Sequence, residues 1–291
     1  MNAPQFHIPP ANPPLKASDE YLWHFTSQEN LWNILCGQDG LLSGHTLFMN
    51  DTKDCSLLRR LNAVEIELGS LIASALDPRM NVAESREELK KLAQSGAYRN
   101  VFITCFATTT SEPKMWLEYT KNGGFAIGFD RGRLESELMA LEKNDNGIFY
   151  DNCNYSTFSE LTHELDKIEA KCAEIVNHGI NKDEVLAIGW VFAKIQENLR
   201  DMVFPKVPDL RWENEKRLAY VFAQGEVPMD RLRFFGGKPF VTMGLSAPIA
   251  TYVRCIRISP HGDMQKSRAI AHLVASRIGL SMDYVIDEKM A

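Results

Sequence analysis

The chain has 291 residues, with 32 Lys and Arg against 38 Asp and Glu, a formal charge of −6 and 45% hydrophobic residues. Roughly three quarters of the unfolded surface of such a chain can be buried, so one large domain or two small ones are within reach, while the acidity argues against holding nucleic acid by bulk charge. No stretch approaches the roughly 20 apolar residues of a membrane helix, and the N-terminus lacks a basic region followed by an apolar run, so a cytoplasmic protein with no membrane partner is expected.

Residues 1–19 carry Pro4, Pro9, Pro10, Pro13 and Pro14 and read as an extended or disordered arm, leaving 20–291 as a single domain. Tyr21 to Thr26 is a strand by aromatic content, and Ser27 is placed to cap a helix from Gln28 to Leu35. A second strand, Leu41 to Met49, runs into Asn50 and Asp51, and Asp54 opens a helical stretch through Ala75. Ser85 to Ala93 reads as a solvated surface helix, with Glu87 four residues before Lys91.

The β-branched and aromatic run Val101 to Ala107 predicts a buried strand. A polar loop then leads to Lys114–Tyr119, a strand at Gly124–Asp130 and a short helix from Arg133 to Leu141. Ile148 to Tyr155 reads as a strand, and Phe158–Asn177 and Lys182–Met202 as two long helices, together a helical insertion over about 158–204. After Pro205 and Pro208, the second half of 211–222 is a strand, Thr251–Ile258 is another by alternation, and Ser267–Ile278 is the last helix. Strands separated by unequal helices, without regular βαβ spacing, predict an α+β fold with a mixed, split sheet.

The chain contains no phosphate-binding Gly-x-x-x-x-Gly-Lys-Ser/Thr loop, no His-Glu-x-x-His and no Gly-x-Ser-x-Gly elbow. Gly123, Gly124 and Gly128 lead into a strand rather than a helix, which does not support a dinucleotide loop. The six cysteines are scattered without zinc-finger spacing, so no metal is expected. Three polar islands remain at the edges of apolar strands: His24 with Thr26, Trp116 with Tyr119, and Glu213 with Glu215. A histidine there can bond a ribose hydroxyl or phosphate, a tyrosine can stack on a planar heterocycle, and a glutamate can stabilise positive charge at an anomeric carbon. The same residues also suit a half-buried strand histidine, a core aromatic and a solvated acidic edge.

The order Tyr21–Ser27, Met49-Asn50-Asp51, Cys105-Phe106, Met115–Tyr119, Gly128-Phe129-Asp130 and Trp212–Arg217 resembles a large bacterial family catalogued as a domain of unknown function, DUF2971, over residues 20–280. That family in turn resembles the ADP-ribosyltransferase-like fold, with its His, Tyr or Ser, and Glu triad. The resemblance implies NAD as substrate. It places His24 on the NAD ribose with Thr26 beside it in the cleft, Tyr119 on the nicotinamide, and Glu215 as the catalytic acid. Glu213 would orient the acceptor, and Asn50 and Asp51 would belong to the NAD-binding set. Either Tyr119 or the loop Thr108–Ser111 could supply the middle motif. The implied activity is that of a bacterial toxin, effector or phage-defence transferase acting on a protein or nucleic acid, with an antitoxin or immunity protein as a partner. NAD hydrolysis is the nearest alternative, and a non-catalytic nucleotide or nucleic-acid sensor is the other; Arg254, Arg257, Lys266, Arg268 and Arg277 would give the sensor a local basic face. On the transferase reading, Glu215→Gln should abolish NAD cleavage with little effect on folding.

Overall fold

Aromatic and β-branched runs, broken by glycine turns and capped helices, build a ten-stranded sheet in the computed structural model, which describes residues 20–48, 57, 60, 63, 64, 67–71, 100–145, 147–178, 183–185, 187, 189, 203–222 and 227–288. The 1–19 arm, Asn50, Asp51, the 85–93 helix and most of 182–202 lie outside the described residues. The strands are β1 (Tyr21–Ser27), β2 (Leu42–His45), β3 (Asn100–Ala107), β4 (Gly124–Asp130), β5 (Ile148–Asn152), β6 (Glu215–Phe222), β7 (Leu232–Phe235), β8 (Lys238–Thr242), β9 (Val253–Ile258) and β10 (Val285–Asp287). The helices that pack beside them include α1 (Gln28–Cys36), α2 (Pro113–Thr120), α3 (Arg131–Asn144), α4 (Thr157–His178) and α5 (Met264–Ile278).

Among the described strands every pairing is antiparallel except β9 with β10, so the sheet is more uniform than the mixed one predicted. Its main path runs β10-β9-β4-β1-β3-β2-β8-β7, with β6 on β3 and β5 on β6. The predicted second strand is cut short at His45 by a 3₁₀ turn, Thr46–Phe48. The β7–β8 hairpin was not anticipated, although Gly236-Gly237, both at positive φ, is the two-residue turn that such a hairpin favours.

The split lies along β3. One edge of β3 pairs with β6 over all eight residues. The other edge is divided: Ala107 pairs with Trp23 of β1, and Phe102 and Ile103 pair with His45 and Gly44 of β2. The stretch 104–106 pairs with neither strand, and there the sheet opens.

Strand alternation sorts side chains onto two faces. Leu22, Phe102, Phe106, Phe125, Ile127, Phe129, Leu218 and Tyr220 form the main core beneath the apolar sides of α1, α3 and α5, including Leu31, Leu134 and Val274. On the opposite face, Trp23, Ala107, Ala126 and Cys255 meet Met115 and Trp116 of α2, while Val101, Ile103 and Ala219 meet Val203 and Phe204. These are separate patches, and the uncovered sheet between them is the floor of a cavity. Gly128 allows Trp23 to lie flat across β4, because a Cβ there would come within 2.6 Å of Cys255 Sγ and 2.8 Å of Trp23 Cζ3.

The described part of the helical insertion stays clear of this floor. Leu165, Ile168, Cys172 and Ile175 of α4 pack with Leu57, Val64, Leu68 and Leu71 in their own cluster, and Arg60 joins Asp166 and Glu169 at 2.6 and 2.8 Å. The basic face that a sensor would use near the C-terminus is largely neutralised, since Arg254, Arg257 and Arg268 pair with Asp130, Glu288 and Asp287.

Candidate active site in the split of the sheet

The cavity at the split measures about 350 Å³ and is lined by His24, Tyr119, Glu213 and Glu215, residues from β1, α2 and the entry to β6. That volume is at the lower end for small-molecule sites and suits one planar ring with an attached sugar. Phe25, Phe48, Phe106 and Phe240 contribute aromatic wall, and His45, Thr104 and Lys238 add further polar groups to the lining.

His24 owes its place to the break in strand pairing. Its Nδ1 contacts the Cys105 carbonyl oxygen at 3.0 Å, taking up a backbone acceptor in the stretch that β1 and β2 leave unpaired. Burial holds its pKa below the usual histidine value, with the Cys105 hydrogen bond opposing in part, so the ring is neutral at physiological pH. The Phe106 ring stands edge-on at 6.3 Å.

Tyr119 is presented by a helix that its neighbours fasten to the sheet. Glu112 caps α2, Pro113 begins it, and Met115 and Trp116 are buried. Trp116 Nε1 donates to the Thr110 carbonyl at 2.9 Å and its ring meets Phe25 edge-on at 4.9 Å. The Tyr119 ring, 46% exposed, projects from this anchor and its hydroxyl donates to Glu213 Oε1 at 3.1 Å. The alternative middle motif is engaged elsewhere: Thr108 donates to the Asn214 carbonyl, Thr109 and Ser111 bond one another, and Thr110 accepts from Arg257. None of these four lines the cavity.

Glu213 and Glu215 do not both belong to the strand at whose edge the sequence places them. Glu213 ends a 3₁₀ turn, Pro208–Glu213, Asn214 adopts the left-handed conformation at φ 43°, and only Glu215 begins β6. The two carboxylates still converge, because Lys206 Nζ donates to Glu213 Oε2 and to Glu215 Oε2. Arg217 Nε donates to Glu215 Oε1, and Cys153 Sγ lies 3.5 Å from that same oxygen. Lys216, between Glu215 and Arg217 in sequence, projects to the other face and pairs with Glu135.

Burial pushes the Glu213 carboxyl up to about 7, with Glu215 adding to the rise and Lys206 opposing it. Glu215 moves the other way: against the cost of burial, Arg217 and Lys206 hold it well below the usual carboxylate range. Two neighbouring carboxyls thus have proton affinities driven apart, Glu213 upward and Glu215 downward, the pattern expected of paired acid–base groups. Burial raises the Tyr119 phenol, keeping it a hydrogen-bond donor.

Thr26, expected beside His24, is buried against β4 opposite Phe125 and does not line the cavity. Lys206 and the cavity phenylalanines escaped the sequence reading. The signal for Lys206 was slight: Phe204-Pro205-Lys206-Val207-Pro208 is held extended by its two prolines, and the Lys206 N–H donates to the Asn154 carbonyl at 3.0 Å. Among the described residues there is no cluster of His, Cys, Asp and Glu fit to hold a metal ion, and no helix long and apolar enough to cross a membrane. No curated protein and no solved structure matches the chain. Residues 115–218, from α2 into β6 and so including Tyr119, Glu213 and Glu215 but not His24, match the model of a family described as a protein of unknown function, DUF2971.

Proposed function

We propose that the protein cleaves the nicotinamide–ribose bond of NAD at the split-sheet cavity, as an ADP-ribosyltransferase-like enzyme that passes the ADP-ribosyl group to a protein or nucleic-acid acceptor. One observation carries the reading: His24, Tyr119 and Glu215, nearly a hundred residues apart at each step, line a single aromatic cavity. In this mechanism the nicotinamide ring lies against Tyr119 and Phe25, and His24 bonds the adjoining ribose. As the glycosidic bond breaks, the sugar takes on oxocarbenium character. Glu215, whose anion Arg217 and Lys206 favour, stabilises the positive charge in a poorly hydrated site where placed charge counts most. Nicotinamide departs with the bonding electron pair, and an acceptor nucleophile or water attacks the anomeric carbon. Glu213 lies close enough to accept that nucleophile's proton when it is itself deprotonated.

Lys206 and Arg217 beside Glu215 favour a second reading, a nucleotide sensor with no turnover, because two cations offset the two carboxylates. Incubation of the purified protein with NAD, following free nicotinamide by chromatography with and without lysate or nucleic acid, decides between them. Release without acceptor marks hydrolysis, and release that requires acceptor marks transfer. Binding without release would overturn the enzymatic reading.

A further inference from the structure

Lys206 is among the most deeply buried cations of the described residues, with a side chain 1% exposed, and its ammonium contacts both cavity carboxylates at once. Its backbone is tied to the loop after β5, where Asn154 forms a parallel bridge with Pro205, so the ammonium is delivered from a fixed point. Stability alone gives no reason for a lysine here, since an apolar group of the same length often packs as well as a buried ion pair. We propose that Lys206 is the positioning residue of the site: it holds Glu213 and Glu215 against one wall of the cavity, and its charge governs whether Glu213 carries a proton.

The effect on rate rests on the NAD-cleaving reading, whereas the effect on charge does not. Tyr119 from α2 donates to Glu213, Arg217 of β6 and Cys153 after β5 reach Glu215, and the Tyr155 hydroxyl accepts from the Glu215 N–H at 3.3 Å. His24, His45, Cys105 and Lys238 also line the cavity. Of these, Lys206 alone contributes positive charge directly to Glu213, while Arg217 faces Glu215. With Lys206 neutral, Glu213 would face the Glu215 anion without its own counter-ion.

The test uses the full-length protein labelled with glutamate carrying ¹³C at the side-chain carboxyl, the Glu213 signal being assigned by its loss in Glu213→Gln. In Lys206→Met and in Lys206→Gln, which keeps donors but not charge, the Glu213 titration midpoint should rise by about one pH unit or more, whereas Lys206→Arg should leave it near the parent value. An unchanged midpoint in the uncharged variants would overturn the proposal. Should Lys206→Met fail to fold, adding Glu213→Gln should restore folding by removing the unpaired anion, and failure to restore it counts equally against the proposal. The pH midpoint of nicotinamide release should move with the titration. A titration shift in a protein whose parent releases no nicotinamide would support the charge role of Lys206 and defeat the NAD reading.

Discussion

Replacing Glu213 by glutamine should change how stability depends on pH, in a direction the cavity fixes. In the folded protein this carboxyl titrates at about 7 against an ordinary value of 4.5, so across that interval the native state holds a proton that the unfolded chain has released. Stability from this group is therefore complete below pH 4.5 and is lost as pH rises through 7. At about 1.4 kcal/mol for each pH unit of displacement, the loss amounts to about 3 kcal/mol. The side chain is only 4% exposed, so solvent screening removes little of it. Glu215 has the opposite sign, its contribution being present above pH 4.5 and lost on acidification, so it does not cancel the Glu213 effect between pH 5 and 8. Glutamine stays neutral throughout and imitates the protonated acid. Urea unfolding of parent and Glu213→Gln at fixed salt from pH 5 to 8 should show the parent losing about 2–3 kcal/mol relative to the variant. Parallel curves would mean that Glu213 titrates normally and that the account of the buried pair is wrong.

Glu215→Gln should abolish nicotinamide release and also lower stability by about 3–5 kcal/mol, because it removes the counter-charge of Lys206 and Arg217, both 1% exposed; thermal melting alongside the release assay separates the two losses. Tyr119→Phe should slow nicotinamide release while changing stability by less than about 1 kcal/mol, since the ring is half-exposed and loses one hydrogen bond to Glu213. Trp116→Ala should cost about 3–5 kcal/mol by chemical denaturation, from a ring 3% exposed that bonds Thr110 and meets Phe25 edge-on. An unchanged denaturation midpoint in that variant would show that α2 is not anchored through Trp116.

The strands that were legible were those with their own pattern. Val101–Ala107 is nearly all apolar because most of it is buried between the two layers, and Ser27 caps α1 as its position foretold, with its Oγ accepting from the Asn30 N–H at 3.3 Å. The order of His24, Tyr119 and Glu215 pointed to a shared opening, and they do line one cavity. What stayed hidden depends on contacts remote in sequence. Thr26 resembles His24 in its strand position, yet only the divergence of β1 from β3 decides that one lines the opening while the other is buried. Lys206 lies in a proline-bounded connection without periodicity, and nothing local indicates that its ammonium is buried. The expectation that Glu215→Gln would spare the fold rested on the near-equal size of the two side chains and left out the burial of the charge, whereas Glu215 is 6% exposed and has two buried cations as partners.

Asn214 shows why a two-residue spacing was a sound clue for an incorrect reason. On a regular strand, Glu213 and Glu215 would project side by side through backbone alternation. Here the intervening residue takes a left-handed conformation, which asparagine tolerates better than most residues, and it reverses the chain between a 3₁₀ turn and β6. Its N–H donates to the Arg211 carbonyl, and its own carbonyl accepts from Thr108 N–H and Oγ1 at 3.2 and 3.3 Å. The kink is therefore held from β3's exit loop, the same loop that receives the Trp116 indole through Thr110. Glu213 consequently reaches the cavity from a turn and Glu215 from a strand, and their carboxyls meet by way of Lys206 rather than by sharing a pleat. That arrangement gives the two groups different partners and separates their proton affinities. A uniform strand edge would have placed two equivalent carboxylates in water, with nothing to distinguish the one that remains charged from the one that can take a proton.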